Sequence, residues 1–252
     1  WYRMQERNLT YFVADVHLGS DPATAAEKEA RFVQFLRSIP AQQTSALYML
    51  GDIWDFWYEY RDVVPKGNAR VFSALMDLVD AGVTVRFIRG NHDVWTYDYL
   101  QSMGIQVLNQ TFSVKIGDAV FCLGHGDGLG PGMRGYKFMR SLFYSRVAQR
   151  LFSTLHPWFA FRIARKWSAG RQKKHVTPYE WRGTSEPLYK FALQYNKTRK
   201  ADYFIFGHFH TPVDMEVEGG SRLIILGDWK KQSNYLYFDG KSLCSGHSRN
   251  ME

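Results

Sequence analysis

The chain has 252 residues, a net charge of +8 and two cysteines, Cys122 and Cys244. That length buries a sizeable core and fits one domain spanning residues 1–252. The cysteine count excludes a disulfide framework and suits a reducing compartment, no apolar run reaches the length of a spanning helix, and residues 1–7 carry no apolar signal region.

Taken in order, the first apolar run is Tyr11-Phe12-Val13-Ala14, and it ends in Asp15-Val16-His17. Residues 27–39 place Ala30, Phe32, Val33, Leu36 and Ile39 at the period of a helix lying on a sheet. Ala46–Leu50 reads as a strand and ends in Gly51-Asp52. Residues 70–81 repeat the helical period with Val71, Leu75, Leu78 and Val79, and Gly82 stops it. Val83–Ile88 follows as a buried strand leading into Gly90-Asn91-His92-Asp93. Strand, helix, strand, helix, strand is a βαβ layout with a parallel sheet, so the fold class is α/β.

Residues 111–116 and 119–123 flank Gly117-Asp118, a hairpin signal, and the second run ends in Gly124-His125-Gly126-Asp127. Tyr203–Phe206 ends in Gly207-His208-Phe209-His210. Short runs over 213–217, 222–226 and 235–238, separated by Gly219-Gly220 and a turn before 240, predict a second, more antiparallel sheet.

The charge is localised. Residues 128–179 hold eleven Lys and Arg and no acid, which leaves 21 basic and 24 acidic residues, a net of −3, in the rest. Within this stretch, residues 135–174 interleave the cations with Phe138, Leu142, Phe143, Val147, Leu151, Phe152, Trp158, Phe159 and Ile163. Pro157 breaks the pattern, so two helices joined near His156-Pro157 are expected. They form an inserted helical lid over about 135–175, apolar inside and cationic outside. Such a surface suits an anionic amphiphile or an anionic membrane.

Five strand-like runs thus deliver Asp, His or Asn at their carboxyl ends, where open α/β sheets hold ligands. Asp15, His17, Asp52, Asn91, His125, His208 and His210 form a nitrogen and oxygen donor set without thiolate. It suits Mn, Fe, Zn or Mg, as two ions about 4 Å apart with Asp52 bridging. Two divalent cations against two ligand carboxylates leave a positive remainder, which selects phosphate esters or diphosphates over neutral amides. The ions would polarise phosphoryl oxygens and lower the pKa of a water toward about 7. His92 is set to serve as a general acid or a donor to the phosphoryl group. Asp55 is expected to accept from its other ring nitrogen.

These motifs, Asp15-x-His17, Gly51-Asp52-x-x-Asp55, Gly90-Asn91-His92-Asp93, His125 and Gly207-His208-x-His210, resemble the calcineurin-like metallophosphoesterases. The resemblance implies a four-layer α/β/β/α sandwich, a dimetal hydrolase, and the His92–Asp55 pairing. Within that family the chain is most similar to the UDP-2,3-diacylglucosamine pyrophosphohydrolases of Gram-negative lipid A synthesis. The similarity rests on Leu50–Trp57, His125-Gly126-Asp127, Gly135-Tyr136, Leu226-Gly227-Asp228-Trp229 and the basic, aromatic insertion. It implies hydrolysis of an anionic diacylated nucleotide sugar to UMP and 2,3-diacylglucosamine 1-phosphate (lipid X), with Mn as cofactor. It also implies a cytoplasmic enzyme held peripherally on the inner membrane. Asn91, His92, Tyr136, Arg171, Lys174 and His208 are the expected substrate contacts. Two departures from the narrower pattern stand out: His92 and Asp55 stand where its best-known members have Arg and Glu, and no acid lies near Met133.

The competing readings are a phosphoesterase of the same fold acting on another phosphodiester, nucleotide or phosphomonoester, a scaffold without catalysis, and a nuclease. Every ligand position is filled, which speaks against the scaffold. The dense apolar set among the cations, and the acidic remainder, speak against a nucleic-acid partner.

Overall fold

The computed structural model describes residues 7–163, 179–230 and 233–248. The amino-terminal half alternates strand and helix: β1 (Leu9–Val13), α1 (Ala25–Ser38), β2 (Thr44–Met49), α2 (Ala69–Asp80) and β3 (Thr84–Ile88). A single turn, α3 (Tyr99–Ser102), leads to the short β4 (Gln106–Leu108). β1 to β4 pair in parallel. The hairpin β5 (Phe112–Ile116) and β6 (Ala119–Leu123) opens the second sheet.

Three helical pieces follow: α4 (Arg134–Tyr144), α5 (Arg146–Ser153) and α6, described over residues 157–163. Then come α7 (Pro187–Asn196), β7 (Tyr203–Phe206), β8 (Val213–Val217), β9 (Ser221–Ile225), β10 (Ser233–Phe238) and β11 (Leu243–Ser248). The first sheet has the order β11-β10-β1-β2-β3-β4, the second β5-β6-β7-β9-β8.

Three apolar clusters define the layers. Phe32, Leu36, Val71 and Leu75 of α1 and α2 meet Val13, Leu47, Met49 and Phe87 on the outer face of the first sheet. Between the sheets lie Phe12, Tyr48 and Ile88 from one and Phe121, Leu123 and Ile205 from the other. Leu188, Tyr189 and Ala192 of α7 cover the far face through Phe204, Phe206 and Leu223. Both faces of the central strands are therefore buried, which is why their sequences read as continuous apolar runs. A row of stacked rings crosses the interface: Tyr48 to Phe12 at 5.6 Å, Phe12 to Phe121 at 5.6 Å, and Phe121 to Tyr203 at 4.9 Å.

Three expectations are corrected. The second sheet is mixed: β6, β7 and β9 are parallel, with antiparallel strands only at the edges. β10 leaves it and pairs antiparallel with β1 instead, carrying β11 on its outer edge. The helical insertion also breaks once more than Pro157 suggests. Ser145 adopts an extended conformation, ends α4, and caps α5 by accepting from the Ala148 N–H at 3.4 Å.

Candidate metal centre

The strands β1, β2 and β3 of the first sheet and β6 and β7 of the second end at one edge of the sandwich. Their turns interlock. The N–H groups of Asp15 and His17 donate to the carbonyls of Gly51 and Asp52 at 3.1 and 2.9 Å. His92 N–H donates to Asp52 Oδ1 at 2.9 Å, and His208 N–H to Asp15 Oδ2 at 2.8 Å. Approach is close enough to require glycine: a Cβ on Gly90 would lie 2.2 Å from Asp52 Oδ1, and one on Gly207 2.4 Å from Asp15 Oδ2.

The seven predicted ligands converge. Asp15 Oδ1 is 3.8 Å from His17 Nε2 and 3.9 Å from His210 Nε2. Asp52 Oδ2 lies 3.7 Å from His17 Nε2 and 3.3 Å from His125 Nε2, between the two halves of the cluster. Asn91 Oδ1 is 3.2 Å from His125 Nε2, and the His208 ring sits 5.1 Å from the His125 ring. Asp15, His17, Asp52, His208 and His210 all have positive φ, between 50° and 74°. Such φ values are uncommon for residues other than glycine and accumulate at functional sites. Among the described non-glycine residues only Asn68 and Met133 share them.

The donors fit metal ions. Asp15 Oδ1 and His17 Nε2 are buried and have no hydrogen-bond partner, although both face the centre of the cluster. Burial alone would raise Asp15 and Asp52; the imidazoles around them outweigh it and hold both carboxyls below their ordinary range. Burial likewise pulls His17 and His125 down, but neighbouring carboxylates push each up to about 10. The site thus draws in positive charge. His208, by contrast, is buried beside His125 and is lowered to about 4, leaving a neutral ring with a lone pair to donate. His125 Nδ1 faces the Leu50 carbonyl at 3.0 Å; a carbonyl only accepts, so Nδ1 carries the proton and Nε2 turns inward.

His92 and Asp55 sit beside this cluster, but not as expected. His92 Nδ1 donates to the backbone carbonyl of Asp55 at 2.7 Å, while the Asp55 carboxylate is 3.8 Å away. That carboxylate stands closer to His17 Nδ1, at 3.3 Å. Burial lowers His92 below its ordinary value. Tyr136 of α4 places its ring 6.0 Å from His208. Arg171 and Lys174 lie outside the described residues.

Three residues were not singled out from sequence. Asp93 is fully buried and accepts from the N–H groups of Gly90, Asp52, Ile53 and Trp54 at 2.7 to 3.3 Å, tying the second turn to the third. Asp228 lies 3.4 Å from His210 Nδ1. Lys28, buried on α1, donates to the His17 carbonyl at 3.3 Å and to Ser20 at 2.7 Å. The motif stretches contain Asp93 and Asp228 but do not show what they hold. Lys28 has no local signal.

The Calcineurin-like phosphoesterase family matches residues 9–212, which contain every candidate ligand. The chain belongs to that family. As a calcineurin-like phosphoesterase it is a metal-dependent hydrolase, and its His/Asp cluster suits a dimetal site. A Porphyromonas gingivalis protein named UDP-2,3-diacylglucosamine hydrolase is 34% identical over 98% of this chain and all of that protein. One of the same name from Neisseria meningitidis serogroup A is 30% identical over 91% of this chain and 94% of its own. A dimetal phosphatase from Danio rerio shares the fold, with a TM-score of 0.50, 13% identity and 96% of each chain covered.

The helices α4 to α6 stand over this phosphoesterase site. A cavity of about 310 Å³ runs from Asn91, His92 and Asp55 to Met139, Phe143, Tyr144, Phe152 and Ile163. The outer side of the helices is not simply cationic, as the sequence suggested. Phe138 is 72% exposed, Val147 and Leu151 are each 67% exposed, and Leu142, Trp158 and Phe159 also face solvent. Twelve or so large apolar side chains are too many for one inner face, so they cover both.

Proposed function

We propose that the protein hydrolyses the diphosphate of UDP-2,3-diacylglucosamine, giving UMP and 2,3-diacylglucosamine 1-phosphate (lipid X), as the names of its relatives suggest. The observation that carries this reading is the cavity: its walls are mostly apolar, and one end opens on Asn91 and His92 at the margin of the predicted ligands. A soluble nucleotide has no use for such walls, whereas two acyl chains do.

Asp15, His17, Asp52 and His210 would hold one divalent ion and Asp52, Asn91, His125 and His208 the other, Mn being the family expectation. When bound, such ions polarise phosphoryl oxygens and lower the pKa of water. The chain's own groups then orient the substrate. Asn91 and His208 stand where they can also meet a phosphoryl oxygen, and Tyr136 borders the cavity entrance. His92, with Nδ1 engaged by the Asp55 carbonyl, keeps Nε2 directed at the site. An approaching diphosphate raises the proton affinity of that nitrogen against the effect of burial. His92 can then donate to the phosphoryl oxygens as the bond to the leaving phosphate breaks. Asp55 positions both rings, His92 through its carbonyl and His17 through its carboxylate.

No helix among the described residues is long and apolar enough to cross a membrane. The exposed apolar residues of α4 to α6, set among cations without acids, support peripheral attachment to an anionic inner-membrane surface on the cytoplasmic side. The same mixture gives no support to a nucleic-acid partner. Residues 135–175 act in this reading as a lid on a single phosphoesterase domain.

The direct test is UMP release from UDP-2,3-diacylglucosamine with added Mn²⁺. The parent is expected to release it, and His92→Ala to lose about 10²–10⁴-fold in kcat. A parent that ignores this lipid yet cleaves a simple phosphodiester would leave the dimetal centre standing and remove the substrate.

A further inference from the structure

α4 stands over the site without burying a single residue. Half-buried Phe143 and Tyr144 rest on the cluster of Tyr58, Val94 and Trp95, and the Trp95 indole N–H donates to the Phe143 carbonyl at 2.5 Å. It also inserts Arg140, whose Nε donates to Asp127 Oδ2 at 2.6 Å. Asp127 is completely buried at the end of the turn that carries His125. Its other oxygen accepts from Gln110 Nε2 at 2.8 Å, and Gln110 Oε1 accepts in turn from the Gly126 N–H at 2.8 Å. The Arg140 guanidinium also lies 4.1 Å from the centre of the Tyr144 ring, one turn further along α4. A buried carboxylate that loses its partner is left as an uncompensated charge in a poorly solvated place. Lifting α4 would do this to Asp127, since Arg140 is its ion-pair partner among the described residues.

We propose that Arg140 is a positioning residue, a latch that pins α4 through the Asp127–Gln110 pair to the His125 turn and so fixes the cavity wall against the metal centre. The pair sets where Tyr136, Met139 and Phe143 stand relative to the candidate ligands, and it acts on acyl-chain binding rather than on bond cleavage. This rests on the substrate reading above only in its choice of acylated substrate.

The test compares the full chain with Arg140→Gln, and with Arg134→Gln, which removes the same charge from the same helix. Amide exchange over α4 should quicken by about tenfold in Arg140→Gln, with β6 unchanged. KM for UDP-2,3-diacylglucosamine with Mn²⁺ should rise by about tenfold at nearly constant kcat, the pattern of lost ground-state binding. Hydrolysis of bis(p-nitrophenyl) phosphate should stay at the parent rate. Arg134→Gln should match the parent throughout, and Arg140→Lys should fall between. Unchanged exchange over α4 in Arg140→Gln overturns the latch. So does an equal effect of Arg134→Gln, which would make helix charge the cause, or a parallel loss on the soluble ester, which would place Arg140 at the reacting groups. If the parent does not cleave the acylated substrate, the substrate reading falls alone, and exchange over α4 still decides the latch.

Discussion

The turns that carry the candidate metal ligands and the helices above them solve opposite problems. The turns are largely buried and cross-linked to their neighbours by backbone hydrogen bonds, and those of Asp15 and His17, of Asp52, and of His208 and His210 are held at φ values that side chains disfavour. The α4 and α5 helices bury no residue completely and keep large apolar side chains in solvent; they are attached by a few half-buried rings, Phe143, Tyr144 and Phe152 against Tyr58 and Trp95, and by polar points such as Arg140 to Asp127 and the Tyr58 hydroxyl to the Gln149 carbonyl. Strain is affordable where many contacts over-determine the backbone. Loosely held helices belong where something must enter and leave. In the proposed reading one molecule thus divides rigid chemistry from adaptable binding.

That division can be broken first at the turns. Chelation should abolish hydrolysis, and restoring Mn²⁺ at about 100 times its Kd should add about 2.7 kcal/mol of stability, or roughly 5–10 °C in Tm by calorimetry. A Tm indifferent to metal would mean that the turns are not the place where ions bind. A smaller effect is expected of Asp93→Asn, which touches no predicted ligand side chain. It weakens the acceptor shared by four N–H groups beneath Asp52 and should lower metal affinity by about 10–100-fold, read by isothermal titration. The helices give the smallest stability change. Replacing Phe138, Val147 and Leu151 together with Asp should leave stability within about 0.5 kcal/mol for each site and the soluble-ester rate unchanged. The same variant should lose cosedimentation with phosphatidylserine-containing vesicles by about tenfold or more. Retained binding would sharpen the contrast differently, by moving the contact to the cations alone.

Much of this was legible in sequence. The βαβ half reads clearly because its strands are buried on both faces and its helices show a clean apolar period, and the five strand ends named all seven candidate ligands. The rest depended on distance in space. β11 carries little beyond Leu243 to mark it and exists by pairing with β10, so nothing local announced it. β10 follows the second sheet in sequence, yet its rings Tyr235 and Tyr237 pack on Tyr11 of the first. The break at Ser145 was hidden because residues 136–156 hold no Gly or Pro to mark it. Asp55 lay at the spacing expected of a partner for His92, but which of its oxygens is used is a matter of backbone direction. That is why the carbonyl serves His92 and the carboxylate serves His17.

The stacked rings between the sheets have a consequence for the ions. Tyr48, Phe12, Phe121 and Tyr203 ride on β2, β1, β6 and β7, and those strands run directly into Asp52, Asp15 and His17, His125, and His208 and His210. The ring row is therefore a spacer that sets the gap across which candidate ligands from opposite sheets face one another. Trimming Phe121 to Leu would let the sheets settle closer and change the size of the ligand cage without altering any atom in it. Metal preference in this scaffold would then be tunable from its aromatic interior as well as from the candidate ligands.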